Sequence, residues 1–279
     1  MHALMLIALI IIPFVFAACA YPVLSMMVTT VFPSRLAAFI DLNLIHLIAL
    51  ALLVPLTRLL LRKRTIYLVC DGLGLDRARL VAAFMSTLGI LALTSFIFGD
   101  AEAVHAPLPE RLPLYAAVLV ITPLQCLLEE LFTRSIIARM VMPQAFICSK
   151  RTLAVTTLAC AALFTLLHWA SPEWDMYPAL PLAAYYFLFA LLSTLVCVRD
   201  RGFELSWAAH SANNIFVALF MGYPGCVYDT LPLFMQETTP GIALLYAQLA
   251  AIFLTLWLLH LRMPDRTGRT TASAEQWQG

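Results

Sequence analysis

QCLLEELFTR, the sequence of residues 125–134, lies in the middle of an apolar run from about Leu114 to Met142. The run is long enough to cross a bilayer as a helix, which needs about 20 apolar residues. It nevertheless contains the carboxylates of Glu129 and Glu130 and the guanidinium of Arg134. A charge at membrane depth costs roughly 2.5–3.5 kcal/mol on insertion scales, so ionisable residues within a span indicate a functional site.

The composition of the chain agrees with a membrane location. Hydrophobic residues make up 62% of its 279 positions and charged residues only 12%, and the mean hydropathy is +0.90. These values are typical of polytopic membrane proteins, for which the lipid bilayer is the main solvent. The net charge is +1, and the basic residues are scattered between apolar runs. We therefore expect no nucleic-acid partner.

The seven cysteines predict neither a disulfide framework nor a thiolate zinc site. They contain no C-x-x-C pair, and most lie in apolar runs, where a thiol behaves as a small hydrophobic group. Their positions are Cys19, Cys70, Cys126, Cys148, Cys160, Cys197 and Cys226.

Hydropathy predicts an all-α polytopic membrane helix bundle with about eight spans in a single domain, residues 1–262. The predicted spans are Ala3–Met27, Leu36–Leu60, Leu80–Phe98, Leu114–Met142, Thr152–Ala170, Met176–Val198, Phe203–Gly222 and Gly241–Leu261. The first span lacks the basic region of a cleaved signal peptide and is expected to be retained. Residues 263–279 are polar and are predicted to form a disordered cytoplasmic tail.

The basic residues predict the orientation of the bundle in the plasma (inner) membrane. An even number of spans places both termini on one side. Fourteen basic residues fall on that side, whereas only Arg35 and Arg111 fall on the other. The positive-inside rule then makes both termini cytoplasmic.

Helical spacing separates the two carboxylates of the fourth span. Glu130 and Arg134 are four residues apart with the acid first, which favours an ion pair on one helix face. Glu129 points about 100° away from that pair, because a helical turn contains 3.6 residues. Glu129 is thus predicted to be a free carboxylate, which is suited to act as a general base.

Three other spans carry polar side chains. His210 and Asn214 share a helix face in the seventh span, and His168 lies near the end of the fifth. These residues could converge on Glu129 within the membrane. We expect only packing contacts from the polar residues of the second span, because interhelical contacts are the usual role of lone intramembrane polar groups. Those residues are Asp41, Asn43 and His46.

The three polar helices resemble one known family. Glu129-Glu130-x-x-x-Arg134, Phe164-x-x-x-His168 and His210-x-x-x-Asn214 follow one another as they do in the CAAX protease and bacteriocin-processing (CPBP, or Abi) family of intramembrane proteases. The resemblance covers about residues 114–222 and implies a helical bundle of about eight spans that hydrolyses peptide bonds inside the bilayer.

The resemblance also implies a role for each site residue. Glu129, helped by His168, would activate a water molecule, and His210 and Asn214 would stabilise the resulting oxyanion. Glu130 and Arg134 would form a supporting ion pair. The implied partner is a membrane-associated peptide or protein substrate. These roles agree with a hydrolase that needs a base and oxyanion donors.

A zinc site made by Glu129, His168 and His210 is the weaker alternative. Two histidines and a carboxylate with an open position can hold a catalytic zinc ion. However, the H-E-x-x-H helix is absent, and no second carboxylate that would orient either histidine is evident in the sequence. We therefore predict a mechanism without a metal cofactor.

Two functions from other classes compete with proteolysis. A non-hydrolytic immunity protein could sequester a peptide toxin with the same polar residues. A proton-coupled transporter would also bury glutamate and histidine. The sequence does not contain the paired Gly/Pro-broken spans in its two halves that a transporter would favour.

Overall fold

A computed structural model describes residues 2–70, 74–142 and 149–264. In these residues the α-helices are α1 His2–Val31, α2 Ser34–Leu61, α3 Ile66–Cys70, α4 Arg77–Phe98, α5 Leu108–Glu130, α6 Ala138–Val141, α7 Lys150–Leu167, α8 Ala179–Asp200, α9 Glu204–Ile215 and α10 Ile242–Arg262. Cys148 and the predicted tail from residue 265 onward lie outside the described residues.

Seven helices of the described chain are long and apolar enough to cross a membrane. They are α1, α2, α4, the continuous helix Leu108–Val141, α7, α8 and α10. Their outward faces expose large apolar side chains, among them Leu4, Val23, Leu59 and Leu180. A lipid environment would solvate such faces, and the helices satisfy their own backbone hydrogen bonds, as a bilayer requires. The chain is therefore an integral membrane protein with a helical bundle, as predicted.

The predicted span Phe203–Gly222 differs from the other seven. It consists of twelve residues of α9 followed by a five-residue π-helical segment, Phe216–Phe220, which together fall short of the length of a typical span. Helices α4, α5 and α8 pack around α9. Most of its side chains are buried. The helix can carry polar residues because it faces protein on all sides instead of lipid.

The helices pack in a defined order around α5 and α9. Helix α1 packs on α2, α2 on α5, α7 on α8, and α10 on α4 and α8. A buried cluster that includes Leu53, Leu128 and Leu131 joins α2 to α5 and to the π-helical segment Leu131–Ile137. This packing brings α2 close to the polar end of α5.

A small sheet lies on one side of the bundle, where the sequence indicated only loops. Its strands are β1 Ala101–Ala103, β2 Met221–Gly222 and β3 Phe234–Gln236, in the order β1-β3-β2. Strand β3 pairs antiparallel with β1 and parallel with β2. The strands are too short for sequence alternation to reveal them. They connect the loop after α4 to the chain that follows α9.

Candidate active site

The ion pair predicted from helical spacing lies where α5 passes into the π-helical segment Leu131–Ile137. Arg134 Nη1 is 3.0 Å from Glu130 Oε1, and both side chains are fully buried. Arg134 Nη1 also donates a hydrogen bond of 2.9 Å to Thr133 Oγ1. The guanidinium thus neutralises Glu130 within the helix that carries both.

Glu130 also connects α5 to α9. Ser206 Oγ donates a hydrogen bond of 2.8 Å to Glu130 Oε2. His210 Nδ1 is 3.0 Å from Glu130 Oε1. A buried carboxylate is tolerated when hydrogen bonds and an opposite charge compensate its lost hydration. Glu130 has such compensation and is therefore suited to a structural role.

Aromatic rings cover the other side of Arg134. The guanidinium carbon lies 4.5 Å from the centre of the Phe164 ring and 5.6 Å from that of Phe189. Cation–π attraction is strongest where the cation is desolvated, as it is here. This contact gives a physical reason for a phenylalanine four residues before His168.

Glu129 has different surroundings from its neighbour. Its side chain is 16% exposed and lines a cavity of about 520 Å³. Gln125 Nε2 donates a hydrogen bond to Glu129 Oε1. Within the described chain, Glu129 Oε2 has no hydrogen-bond partner. This buried oxygen lies 3.6 Å from His210 Nε2, in a side chain that lines the cavity.

His210 reaches both carboxylates. Its Nε2 atom is 3.6 Å from Glu129 Oε2, on the opposite side of the ring from the bond to Glu130. An ionised carboxylate can only accept hydrogen bonds, so Nδ1 is the donor to Glu130. Nε2 can donate as well only when the ring is doubly protonated. Two adjacent carboxylates favour that charged form electrostatically.

Asn214 lies on the same face of α9 and lines the cavity. Its Nδ2 atom is 3.5 Å from the sulfur of Cys126, and its Oδ1 atom accepts a bond of 3.2 Å from Asn213 Nδ2. Sulfur is a weak acceptor. The amide nitrogen of Asn214 can therefore exchange this contact for a stronger acceptor in the cavity.

His168 caps the end of α7 and lines the same cavity. Its Nδ1 atom is 2.8 Å from the carbonyl oxygen of Phe164, so Nδ1 carries the donated proton and Nε2 is the other ring nitrogen. The ring packs between Phe164, at 4.1 Å, and Tyr186, at 4.8 Å between ring centres. The described residues contain no direct hydrogen bond between His168 and Glu129. A water molecule could join them across the cavity.

His46 was expected to make only packing contacts, but the structure places it against Glu129. Its Nε2 atom is 3.5 Å from Glu129 Oε1, and the side chain lines the cavity. The sequence feature that could have identified His46 is the position of an ionisable side chain within an apolar span. What the sequence could not supply was the packing of α2 against α5.

Of the other polar residues of α2, Asp41 makes the expected interhelical contact, whereas the hydrogen bond of Asn43 stays within its own helix. Asp41 Oδ2 accepts a hydrogen bond of 2.9 Å from the Tyr21 hydroxyl and so links α1 to α2. Asn43 Nδ2 donates to the carbonyl oxygen of Phe39, one turn earlier in its own helix, at 2.8 Å. Asn43 also lines the cavity, three residues before His46 in α2.

The cavity reaches the outer surface of the bundle. Leu42 of α2 and Leu167 of α7 line it and are 44% and 56% exposed. Both side chains belong to apolar faces that a bilayer would cover. A peptide segment could enter the cavity sideways between these helices.

The described residues do not include a group of three or more His, Cys, Asp or Glu side chains arranged to hold a metal ion. Glu129, His168 and His210, the ligands of the zinc alternative, all line the same cavity, and the mechanism without a metal cofactor stays a prediction. Nδ1 is engaged in both histidines, in His168 with the Phe164 carbonyl oxygen and in His210 with Glu130, so Nε2 is the nitrogen that each ring presents to other partners.

These features define a class: a polytopic integral membrane protein with buried carboxylates and histidines around an internal cavity. Residues 110–216 match the family described as type II CAAX prenyl endopeptidase Rce1-like. All three motifs lie within that range. The match bears out the resemblance over residues 110–216, where the chain is similar to this CAAX protease family.

One relative among curated proteins is an uncharacterized protein, YyaK, of Bacillus subtilis (strain 168). It is 33% identical over 119 residues, which are 43% of this chain and 38% of the relative. The chain thus matches about two fifths of the length of that relative. No solved structure matches the chain.

Proposed function

We propose that the chain is an intramembrane endopeptidase that hydrolyses a peptide bond in a membrane-associated peptide or protein tail. The observation that carries the proposal is the contrast between two adjacent carboxylates. Glu130 is compensated by Arg134, Ser206 and His210, whereas Glu129 Oε2 has no hydrogen-bond partner within the described chain. This contrast supports Glu129, and not Glu130, as the group that would accept a proton from water.

Glu129 would act as the general base. Its Oε1 atom is held by Gln125 and faces His46, so Oε2 is directed to the attacking water. His168 lines the same cavity and would orient that water through Nε2. The oxygen of the water forms a bond to the carbonyl carbon, and its proton moves to Glu129.

His210 and Asn214 would stabilise the oxyanion that forms on the carbonyl oxygen. The doubly protonated ring of His210 offers Nε2–H, and Asn214 offers its Nδ2 hydrogen in place of the weak contact with Cys126. Such donors act strongly in a water-poor site. The C–N bond then breaks, and the departing amine takes the proton from Glu129.

A variant pair tests this proposal directly. Membranes that contain the wild-type chain or Glu129→Ala are incubated, and the peptides they release are identified by mass spectrometry. We expect specific peptides from the wild type and none from Glu129→Ala at equal abundance. Glu110→Ala is the matched control, because Glu110 is an exposed acid in the first turn of the same helix. Peptide release by Glu129→Ala equal to that of the wild type would exclude Glu129 as the base.

The same material separates the alternatives. Activity that persists in a strong chelator, with no zinc in the purified protein, is expected of a metal-free mechanism. Loss of activity that added zinc restores would favour the zinc site instead. Sequestration would be indicated by tight binding of a peptide that is never cleaved, with the same affinity in the wild type and in Glu129→Gln. Proton flux in vesicles that Glu129→Gln abolishes would indicate transport.

A further inference from the structure

A second carboxylate lines the cavity at the end where α7 passes into α8. Glu173 lies in the 3₁₀ turn Pro172–Asp175, five residues after His168. Its Oε2 atom is buried and has no hydrogen-bond partner among the described residues. The proposed mechanism does not use this group.

Tyrosines surround Glu173. Tyr177 and Tyr223 line the cavity beside it. Burial raises the pKa of the Glu173 carboxyl, while its own backbone amide and the hydroxyls of Tyr223 and Tyr186 oppose that rise. Burial and the nearby charge of Glu173 also raise the pKa of Tyr177 to about 12. Glu173, Tyr177, Tyr186 and Tyr223 all line the same cavity.

The turn is held in place before any substrate arrives. The Tyr177 hydroxyl donates a hydrogen bond of 2.8 Å to the carbonyl oxygen of Pro240. Trp174 Nε1 donates one of 2.6 Å to the carbonyl oxygen of His168. Gly225 packs so closely on Met176 that a Cβ atom there would overlap the sulfur. The carboxylate and the rings thus have fixed positions relative to His168.

The loops on this side of the bundle are acidic, and their basic residues are already engaged. Arg35 pairs with Asp229 at 3.3 Å, and Arg111 donates hydrogen bonds to the carbonyl oxygens of Val104 and Pro232. In the described part of the chain Glu173 has no basic partner. The acidic residues of these loops are Asp100, Glu102, Glu110, Glu173, Asp175, Asp229 and Glu237.

We propose that this end of the cavity is a subsite for a cationic group of the substrate, an ammonium or a guanidinium, held by Glu173 between the rings of Tyr177 and Tyr223. The proposal rests on the proposed function, because it assigns a specificity to the same cavity. A carboxylate provides the opposite charge, and aromatic faces attract cations within about 6 Å of their centres. The acidic loops would also attract cationic segments to this side.

The test compares peptides that differ only in charge. The protein is reconstituted in liposomes with acylated fluorogenic peptides that carry Lys, Arg, Gln or Glu at one position at a time. A second series has free or acetylated N-termini, which distinguishes a side-chain cation from an α-amino group. We expect the wild type to cleave one cationic series about tenfold better than its neutral counterpart, mainly through KM.

Variants assign that preference to Glu173. We expect Glu173→Gln to reduce the cationic-to-neutral ratio to about one, and Asp175→Asn, an exposed acid in the same turn, to keep the wild-type ratio. An unchanged ratio in Glu173→Gln, or no charge preference in the wild type, would overturn the proposal.

Binding to an inactive chain keeps the two proposals separate. Glu129→Gln protein is titrated with the fluorescent cationic and neutral peptides, with and without Glu173→Gln. Weaker binding of only the cationic peptide in the double variant supports the subsite even if no peptide is ever cleaved. If the cationic peptide binds equally well to Glu129→Gln and to the double variant with Glu173→Gln, the subsite is refuted even if the endopeptidase activity is established.

Discussion

Glu129 and Glu130 are chemically identical, but their surroundings assign them different tasks. Glu130 has three partners from two helices and no exposure, whereas Glu129 Oε2 has no hydrogen-bond partner within the described chain. The helical spacing of Arg134 was sufficient to predict this division. A buried charge without a partner is unstable, so loss of Arg134 and loss of Glu129 should affect the stability of the fold differently.

Arg134→Ala should therefore harm the fold more than Glu129→Ala does. The substitution leaves Glu130 as an uncompensated buried charge and also removes the contact with Phe164. Breaking a buried ion pair in this way costs about 3–5 kcal/mol. We expect lower abundance and a lower Tm in detergent for Arg134→Ala, with Glu129→Ala close to the wild type. Equal abundance of the two variants would contradict the assignment of Glu130 to structure.

His46 is the site residue that the sequence did not assign. Its Nε2 atom faces Glu129 Oε1, and donation to that oxygen would fix the orientation of the carboxylate. We expect His46→Ala to lower kcat about tenfold, because a mispositioned base loses part of an effect worth about 10²–10⁴. His46→Gln keeps an N–H donor and should recover much of the rate.

The control for His46 is His105→Ala, which removes an exposed histidine from a loop. The measurement is kcat and KM for one released peptide, at equal amounts of folded protein. A purely structural role would lower abundance and would not distinguish Gln from Ala. Wild-type kcat in His46→Ala would exclude any role for this histidine in the reaction.

At the scale of elements, the helices that carry Glu129 and His210, α5 and α9, each pass into a π-helical segment. Leu131–Ile137 directly follows Glu130, and Phe216–Phe220 directly follows α9. Neither segment contains Pro or Gly, so no residue signals the change of helical type. Such turns often occur at functional sites. Hydropathy predicted where these helices are in the chain. It could not predict where the α-helix changes to a π-helix, because apolar side chains are compatible with both.

A buried hydrogen-bond network around Arg79 connects the ends of α4, α8 and α10 on the side opposite the small sheet. Arg79 of α4 donates from Nε to both oxygens of Asp200, at 3.1 and 3.0 Å, and from Nη1 to Asp76 at 2.6 Å. His260 of α10 contacts Asp200 at 3.0 Å. This network joins α4, α8 and α10, and it uses three nitrogens of one guanidinium, Nε on Asp200, Nη1 on Asp76 and Nη2 on the carbonyl oxygen of Pro264.

Arg79→Ala should destabilise the bundle by about 3–5 kcal/mol, because Asp200 would lose its main counter-charge. Arg77→Ala is the matched control, since Arg77 begins the same helix but is exposed. Thermal unfolding in detergent, followed by helical circular dichroism, measures the difference. An equal Tm for the two variants would show that the network is dispensable.

At the scale of the whole molecule, the bilayer explains why the fold was largely predictable. A lipid solvent requires long apolar helices with internally satisfied backbones, and such helices are evident from hydropathy. Phe203–Gly222, the seventh of the eight predicted spans, was expected to resemble the others, but α9 is short and enclosed by other helices. The contacts of His46 and Glu173 were not predicted, because they depend on which helices and loops become neighbours.

The orientation of the bundle in the membrane follows from charge and remains a prediction. Helix α7 begins at the exposed Lys150, on the strongly basic side, and leads to the exposed Asp175 on the acidic side. The positive-inside rule makes the Lys150 side cytoplasmic, so the cavity end at Glu173 would face the exterior.

In intact cells, a membrane-impermeant maleimide should then label Asp175→Cys, whereas Lys150→Cys should react only after permeabilisation. Both are made in a chain whose seven native cysteines are replaced. The opposite labelling pattern would place the acidic loops in the cytoplasm, and substrates would then reach Glu173 from inside the cell.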